Sequence, residues 1–177
     1  MPDFPALMAP GDQHIFSVST LSGLALGNSM AGASPAGVAW PAANRALFVP
    51  CRIPMSCTIY KMACGTGTGT AGNFDLGFYD QWGNLLVSTG TTGKTTASSE
   101  RIVDVTDTFI GPGMYYLAMA TDGVTGYYAT ATSVTISNQK LMGCREMETA
   151  FPLPSTATFA TVSTAFLPHL SARFRAE

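Results

Sequence analysis

The apolar positions between residues 45 and 131 recur with a period of two. In Ala46–Ile53, Leu47, Val49, Cys51 and Ile53 share one face, and Phe74, Leu76 and Phe78 do the same in Asn73–Tyr79. Such alternation is typical of β-strands buried on one side. It predicts further strands at Cys57–Cys64, Leu85–Ser88, Arg101–Val105, Met114–Thr121 and Tyr127–Ala131. Nothing in this region predicts a helix longer than about two turns.

Turn residues separate these strands. Gln81-Trp82-Gly83-Asn84 predicts a tight turn that joins Asn73–Tyr79 to Leu85–Ser88 in a β-hairpin. A second turn is expected at Gly111-Pro112-Gly113, and the glycine run Gly65–Gly72 is expected to be a loop. Short strands with closely spaced turns favour an all-β fold, an antiparallel β-sandwich that we expect to be jelly-roll-like.

Extended arms are predicted on both sides of this sandwich core. Residues 1–44 carry only Asp3 and Asp12 as charges and are interrupted by several prolines, which disfavour both helices and central strands. An arm of this kind is either disordered or laid along a neighbour, and its apolar residues favour docking. The predicted organisation is therefore an N-terminal arm (1–44), a sandwich core (45–131) and a C-terminal extension (132–177) that adds a further strand.

Charged residues are scarce, which bears on the kind of surface expected. Asp, Glu, Lys and Arg make up 11% of the chain, against about 25% in typical domains. A surface so poor in charge favours a protein that is largely covered by partner proteins. The alternative is a secreted β-protein whose surface is rich in Thr and Ser. The net charge of −2 gives no electrostatic basis for nucleic-acid binding.

Two further patterns bear on location. No apolar run approaches the roughly 20 residues of a membrane span, so no membrane association is predicted. The first basic residue is Arg45, so the charged start of a signal peptide is missing and synthesis in the cytoplasm is expected.

The four cysteines at 51, 57, 64 and 144 fit neither zinc-ligand spacing nor a CxxC motif. In a reducing cytoplasm they are expected to remain thiols. Cys57 and Cys64 fall on opposite faces if Cys57–Cys64 is one regular strand, which argues against a bond between them. A disulfide that involves Cys51 or Cys144 remains an alternative.

No catalytic motif is recognisable, and we expect the chain not to be an enzyme. Its two histidines, His14 and His169, lie outside the predicted core, and HExxH and GxSxG motifs are absent. The glycine run Gly65–Gly72 lacks the lysine and the following helix of a phosphate-binding loop.

Several aspartates lie near predicted turns, so a calcium site is a possible alternative role for them. Three converging loop carboxylates would suit Ca²⁺, although Asp beside Gly or Thr more often caps a turn. The candidates are Asp75, Asp80, Asp104, Asp107 and Asp122. No other cofactor is predicted.

Aromatic residues are the main candidates for interaction sites. Aromatic side chains at strand tips either pad a protein–protein interface, which we favour, or stack on sugar rings. The candidate interaction residues are Phe4, Phe16, Trp40, Tyr79, Trp82, Tyr116, Tyr127 and Tyr128.

Four segments resemble small β-sandwich proteins of tailed bacteriophages: Ala43–Ile53, Asn73–Gly90, Asp104–Asp122 and Ala150–Ala165. The resemblance covers residues 43–170 and rests on hairpin and turn signatures, which identify the type of sandwich better than its role. It implies a structural protein of the virion, either a decoration (cement) protein on the head or a part of a tail or fibre. It carries over no functional residue.

The sequence thus leads to a leading expectation and an alternative. The leading expectation is a capsid decoration protein, made in the cytoplasm of the bacterial host and located on the virion. It would stabilise the head by contacts with the major capsid protein or other virion proteins, and would form a homo-oligomer, with a trimer favoured. The alternative is a tail or fibre module that binds a glycan of the host surface.

Overall fold

The computed structural model describes residues 13–16, 37–130 and 134–176 of the chain. The regular secondary structure of this part is β-strand apart from one short helix. The strands are β1 (Gln13–Phe16), β2 (Val38–Ala39), β3 (Ala46–Ile53), β4 (Cys57–Gly65), β5 (Asn73–Asp80), β6 (Leu85–Ser88), β7 (Thr92–Gly93), β8 (Glu100–Ile110), β9 (Gly113–Thr121), β10 (Tyr127–Tyr128), β11 (Arg145–Met147), β12 (Ala160–Thr161) and β13 (Leu170–Ala176); the helix is α1 (Ile136–Met142).

Two antiparallel sheets pack face to face. The four-stranded sheet has the order β1-β13-β4-β8, and the seven-stranded sheet has the order β12-β11-β3-β9-β5-β6, with β7 also paired to β5. A short ribbon of β2 and β10 lies beside them. The predicted all-β sandwich is confirmed. β11 pairs only with Ala46–Phe48, so the edge of β3 on that side has no partner strand at Pro50. Pro50 is tolerated there because no N–H group is needed for a ladder hydrogen bond.

The main core lies between the two sheets. Leu47, Val49, Cys51 and Ile53 of β3 point into it, together with Phe74, Leu76 and Phe78 of β5 and Leu117 and Met119 of β9. These are the inward faces that the alternation predicts. The four-stranded sheet contributes side chains such as Ile59, Met62, Ala172 and Phe174 from the opposite side.

β4 departs from the regular alternation that the sequence predicts. Its register to β13 shifts between Ile59 and Lys61, which pair with the consecutive residues Phe174 and Arg173. This shift places one extra residue in β4, as in a β-bulge. Cys57 and Ile59 before the shift and Met62 and Cys64 after it therefore all reach the same core. The prediction that Cys57 and Cys64 lie on opposite faces is wrong for this reason. Both are buried free thiols, as are Cys51 and Cys144.

A second core covers the outer face of the seven-stranded sheet. Residues 148–159, here called the strap, cross this face and bury Ala150, Leu153 and Ala157 against the sheet. Phe48, Tyr79, Ala118 and Ala120 are the sheet residues beneath it. The small side chains of β9 leave room for the strap, and its cover explains why β3 and β5 are buried on both faces.

The terminal segments are incorporated into the sandwich more deeply than the predicted boundaries at 44 and 131 imply. Residues 145–176 supply three strands, and β13 pairs with both β1 and β4. At the other boundary, Trp40 is 1% exposed and its ring meets Tyr128 and Phe166 edge-on. Of the predicted N-terminal arm, residues 1–12 and 17–36 lie outside the described residues, and Gln13–Phe16 forms an edge strand on β13.

Candidate functional site

The turn between β5 and β6 is held by one carboxylate. Asp80 ends β5, and its side chain accepts hydrogen bonds from the amides of Trp82 (2.9 Å) and Asn84 (2.8 Å) and from Nδ2 of Asn84 (2.8 Å). Gly83 completes the turn at φ +90°, a conformation that glycine adopts without strain. The turn leaves the Trp82 side chain pointing away from the sandwich, with 74% of it exposed.

A second turn lies beside it. β8 and β9 are joined through Gly111 and Pro112, and the hydroxyl of Tyr115 donates to the Gly111 carbonyl at 2.9 Å. The Tyr115 ring stacks on Phe78 with ring centroids 5.2 Å apart, which anchors this turn to the core. Phe109 and Met114 flank the turn and are 64% and 46% exposed.

Between these two turns lies an apolar groove of about 360 Å³, here called the tip groove. Its exposed apolar side chains are Trp82, Leu86, Phe109 and Met114, which are four of the nine large hydrophobic residues exposed in the described part of the chain. Such clustering marks an interaction site more often than a scatter of single residues does. The remaining lining comes from Asp80, Gln81, Ile110, Gly111, Pro112, Gly113 and Tyr115.

Two polar side chains of the tip groove, Asp80 and Tyr115, are already engaged within the chain. Both oxygens of the Asp80 carboxylate accept hydrogen bonds from the turn, and Tyr115 donates its hydroxyl proton to Gly111. Burial alone would raise the pKa of Asp80, but hydrogen bonds from Asn84, Trp82 and Gly83 outweigh it and lower that pKa. Burial, with smaller contributions from nearby Cys57, Asp80 and Cys51, raises the pKa of Tyr115. At neutral pH the carboxylate stays ionised and the phenol stays protonated, so the groove is suited to binding apolar groups.

Three predicted interaction residues lie in the interior. Tyr79 is 0% exposed, and its hydroxyl donates to the Pro154 carbonyl of the strap at 2.7 Å. Tyr128 is 0% exposed beneath the ammonium group of Lys94, and Trp40 is 1% exposed with its indole N–H bonded to the Arg45 carbonyl at 2.9 Å. The structure corrects their predicted placement on the surface, because rings with no exposed area offer nothing to a partner.

The other predicted residues are separated from one another. Trp82 lies in the tip groove, whereas Tyr127 is 43% exposed at the opposite end of the sandwich. Tyr116 is half-buried against Phe159. Phe16 belongs to β1, where its backbone pairs with Ser171, and Phe4 lies outside the described residues.

Three groove residues are missing from the sequence prediction. The sequence prediction does not include Leu86, Phe109 or Met114, although Leu86 and Met114 lie in predicted strands. The signal for Phe109 is the length of β8, which runs from Glu100 to Ile110 and not only from Arg101 to Val105. Thr106, Asp107 and Thr108 hide this length, because a polar stretch is typical of a loop.

The aspartates considered for calcium are dispersed. Asp104 pairs with Lys61 (3.3 Å) and Asp107 with Arg175 (3.5 Å), both across strands of the four-stranded sheet. Asp122 accepts hydrogen bonds from the amide (3.0 Å) and side chain (2.6 Å) of Asn73. No group of three or more His, Cys, Asp or Glu in the described ranges is placed to hold a metal ion.

Buried titratable groups lie away from the tip groove. Burial raises the pKa of Cys51 and of Cys64 to about 12, and that of Cys144 to about 11, so these thiols stay protonated near neutral pH. Burial lowers the pKa of His169. Lys94 is 2% exposed, and its ammonium group donates to the carbonyls of Thr68 and Tyr127.

Comparisons with family models, with curated proteins and with solved structures give no match to this chain. Among the described residues, no helix combines the length and the apolar character needed to cross a membrane.

Proposed function

We propose that this chain is a non-catalytic structural module that docks onto another protein through the tip groove. The observation that carries the proposal is the clustering of Trp82, Leu86, Phe109 and Met114 in one exposed groove. Buried tryptophan and other aromatic anchors carry much of the affinity of protein interfaces, and they do so when a partner excludes water from them.

The chemistry of the groove favours a protein partner over a sugar. A glycan site needs polar groups that are free to bind hydroxyls. The Asp80 carboxylate and the Tyr115 hydroxyl already form hydrogen bonds within the chain. Aliphatic groups from Leu86 and Met114 lie beside the aromatic rings, and they complement apolar side chains better than hydroxylated rings.

The distribution of charge supports an orientation for docking. Ion pairs run across the outer face of the four-stranded sheet and join Lys61 to Asp104, Arg173 to Glu100 and Arg175 to Asp107. Removing such charges from water is costly unless they are well paired in the new environment. This face is therefore suited to remain in solvent while the tip groove faces the partner.

The proposed setting is a bacteriophage particle, with a capsid decoration protein as the leading role. The resemblance of four segments to small phage β-sandwich proteins supports this setting, and the low content of charged residues agrees with a surface that assembly covers. In that role the partner is the major capsid protein or another virion protein.

Cosedimentation with particles tests this proposal. The purified chain would be added to phage particles produced without its gene, and bound protein would be measured after pelleting. We expect the wild type to bind in stoichiometric amounts and Trp82→Ala to bind at least tenfold more weakly, because it removes the central anchor. The matched control is Leu141→Ala, which removes an 87% exposed leucine on α1, away from the groove. Failure of the wild type to bind, or equal binding of both variants, contradicts the proposal.

A glycan-binding tail or fibre module is the second candidate. The observation that favours it is the large exposed face of Trp82, next to the side-chain amide of Gln81, since aromatic faces stack on sugar rings. Glycan-array binding that Trp82→Ala abolishes, with no binding to particles, would replace the first proposal with this one.

A further inference from the structure

We propose that the tip groove binds residues 1–7 of a neighbouring copy of this chain, which links copies through an arm and a groove. This inference rests on the proposed function, because it uses the same groove, but it names a second copy of the chain as the protein that docks there, in place of the major capsid protein. It is drawn from the position at which β1 begins, from the sequence before it and from the chemistry of the groove.

The register of the four-stranded sheet shows where the N-terminal segment leaves the sandwich. Gln13 pairs with Phe174, which pairs with Ile59, which pairs with Thr108. β1 therefore begins at the end of the sheet where β8 continues from Thr108 into Phe109 and Ile110. These two residues line the tip groove.

The distances allow the segment to reach a groove at this end of a sandwich. Gln13 is separated from β8 by three strand spacings, or about 14 Å at the usual separation. Twelve residues precede Gln13, and an extended chain of that length spans up to about 40 Å. With Phe4 and Leu7 in the groove, residues 8–12 remain as the link to Gln13 and span up to about 17 Å. The proposal therefore requires the two copies to lie with these ends close together.

The sequence of this segment matches an aromatic groove. Met1–Pro10 reads MPDFPALMAP, and prolines at 2, 5 and 10 favour a polyproline II conformation with three residues per turn. With that period Phe4, Leu7 and Pro10 share one face, and Pro2, Pro5 and Met8 share a second. Asp3 falls on the third face with two alanines, so two of the three faces are apolar.

The groove provides what such a segment requires. Proline-rich segments dock in grooves lined by aromatic side chains, where the preformed helix loses little entropy on binding. Trp82, Phe109 and Tyr115 supply such a lining, and Leu86 and Met114 add apolar contacts. Within the described residues β8 is the last strand of its sheet, so its outer backbone edge also lies open beside Phe109.

A neighbouring copy fits the exit direction of the segment better than the chain's own groove does. β1 runs antiparallel to β13, so its first residue, Gln13, lies near the end of β13 and the strand direction points past Arg175 and Ala176. To fill its own groove the segment would have to reverse and cross the ends of β13 and β4. A segment that continues outward meets the groove of an adjacent copy without that reversal.

Complementation between two full-length variants tests the proposal. Phe4→Asp combined with Leu7→Asp disables the arm and leaves the groove intact, whereas Trp82→Ala disables the groove and leaves the arm intact. We expect each variant alone to self-associate at least tenfold more weakly than the wild type in sedimentation velocity. An equimolar mixture should form a 1:1 complex, since each variant supplies the part that the other lacks. The matched control for the arm is Ala6→Ser combined with Ala9→Ser, on the third face, which should self-associate like the wild type.

Two outcomes would overturn the proposal. One is a mixture in which both variants remain monomers. The other is a wild-type monomer whose Trp82 is protected from acrylamide quenching by comparison with the arm variant, which would place the segment in its own groove. The chain has only two tryptophans and Trp40 is buried, so quenching reports on Trp82.

The two proposals fail in different ways. Trp82-dependent binding to particles without a 1:1 complex overturns the arm and leaves the proposed function standing. A 1:1 complex without any binding to particles supports the arm and overturns docking onto the particle.

Discussion

The backbone amide of Leu153 donates a 3.0 Å hydrogen bond to the carboxylate of Asp75. Asp75 lies on β5 and is 1% exposed, while Leu153 is at the middle of the strap. The hydroxyl of Thr89 donates to the other carboxylate oxygen at 3.2 Å. A buried carboxyl group thus ties the strap to the seven-stranded sheet, and its ionisation affects the stability of the fold.

The first prediction concerns pH. Burial raises the pKa of Asp75, and hydrogen bonds from Leu153, Thr89, Gly90 and Ser88 offset this only in part. Between the ordinary Asp value of about 3.9 and the raised value, the folded state binds more protons than the unfolded state. The contribution of Asp75 to the free energy of unfolding therefore falls as pH rises through this window. Chemical denaturation from about pH 4 to pH 8 measures the free energy of unfolding of the wild type and of Asp75→Asn. The wild-type value minus the Asp75→Asn value should fall as pH rises.

Asp104→Asn is the control for that series. Asp104 is an exposed carboxylate in a surface ion pair. In Asp104→Asn the free energy of unfolding should change with pH over the same range as in the wild type. A wild type minus Asp75→Asn difference that does not change with pH would show that Asp75 does not titrate as a buried group.

The second prediction concerns the turn that carries Trp82. Gly83→Ala should destabilise the fold by about 1–3 kcal/mol, because a non-glycine residue is strained at positive φ. The added Cβ would also lie 2.5 Å from the Ala157 carbonyl oxygen of the strap. Gly90→Ala is the matched comparison, since Gly90 has φ +62° and nothing within 4 Å of an added Cβ. Equal losses of unfolding free energy in both variants would contradict the close packing of turn and strap.

A third prediction concerns the buried ammonium group of Lys94. Lys94→Met keeps most of the apolar stem but removes the hydrogen bonds to Thr68 and Tyr127 and the contact with the Tyr128 ring. We expect a loss of about 1–3 kcal/mol in the free energy of unfolding, as for buried hydrogen bonds to charged groups. Lys61→Met removes a lysine from a surface ion pair and should cost under about 1 kcal/mol. Similar losses for both lysines would refute the structural role of Lys94.

The fourth prediction separates the two tryptophans. Trp82→Ala should change the free energy of unfolding by less than about 0.5 kcal/mol, because an exposed side chain contributes little to folding. Trp40→Phe should lose about 1–3 kcal/mol, since it removes the indole bond to Arg45 and disturbs a filled core. Thermal denaturation measures both. Strong destabilisation by Trp82→Ala would show that the indole ring supports the fold and would weaken its use as a docking probe.

The alternation of residues predicts the sandwich well, because burial on one face imposes a period of two. β3 and β6 have the predicted bounds, and the predicted inward residues of β5 lie in the core. The shift of β4 against β13 escapes this reasoning, since an extra residue in a strand has no signature in the apolar pattern of Cys57–Gly65. The sequence could therefore predict the layers but not the face on which Cys64 lies.

The candidate site was predicted only in part. Trp82 was identified from its place in a turn, where an aromatic side chain has little local reason to be buried. Tyr79 was predicted to be accessible, but the strap covers it, and the strap has no periodicity that would show which sheet face it crosses. Trp40 lies in a segment whose prolines and alanines indicate an arm, although its ring closes the end of the core.

The position of β13 has a consequence for biosynthesis. β13 comes after all the other strands along the chain, yet in space it lies between β1 and β4. During translation one edge of β4 therefore stays unpaired until Leu170–Ala176 has been synthesised and has left the ribosome. A nascent chain arrested before that point presents an unpaired strand beside an uncovered core, which is a substrate for chaperones and proteases. A stop codon only eight residues before the end of this sequence would thus remove an interior strand.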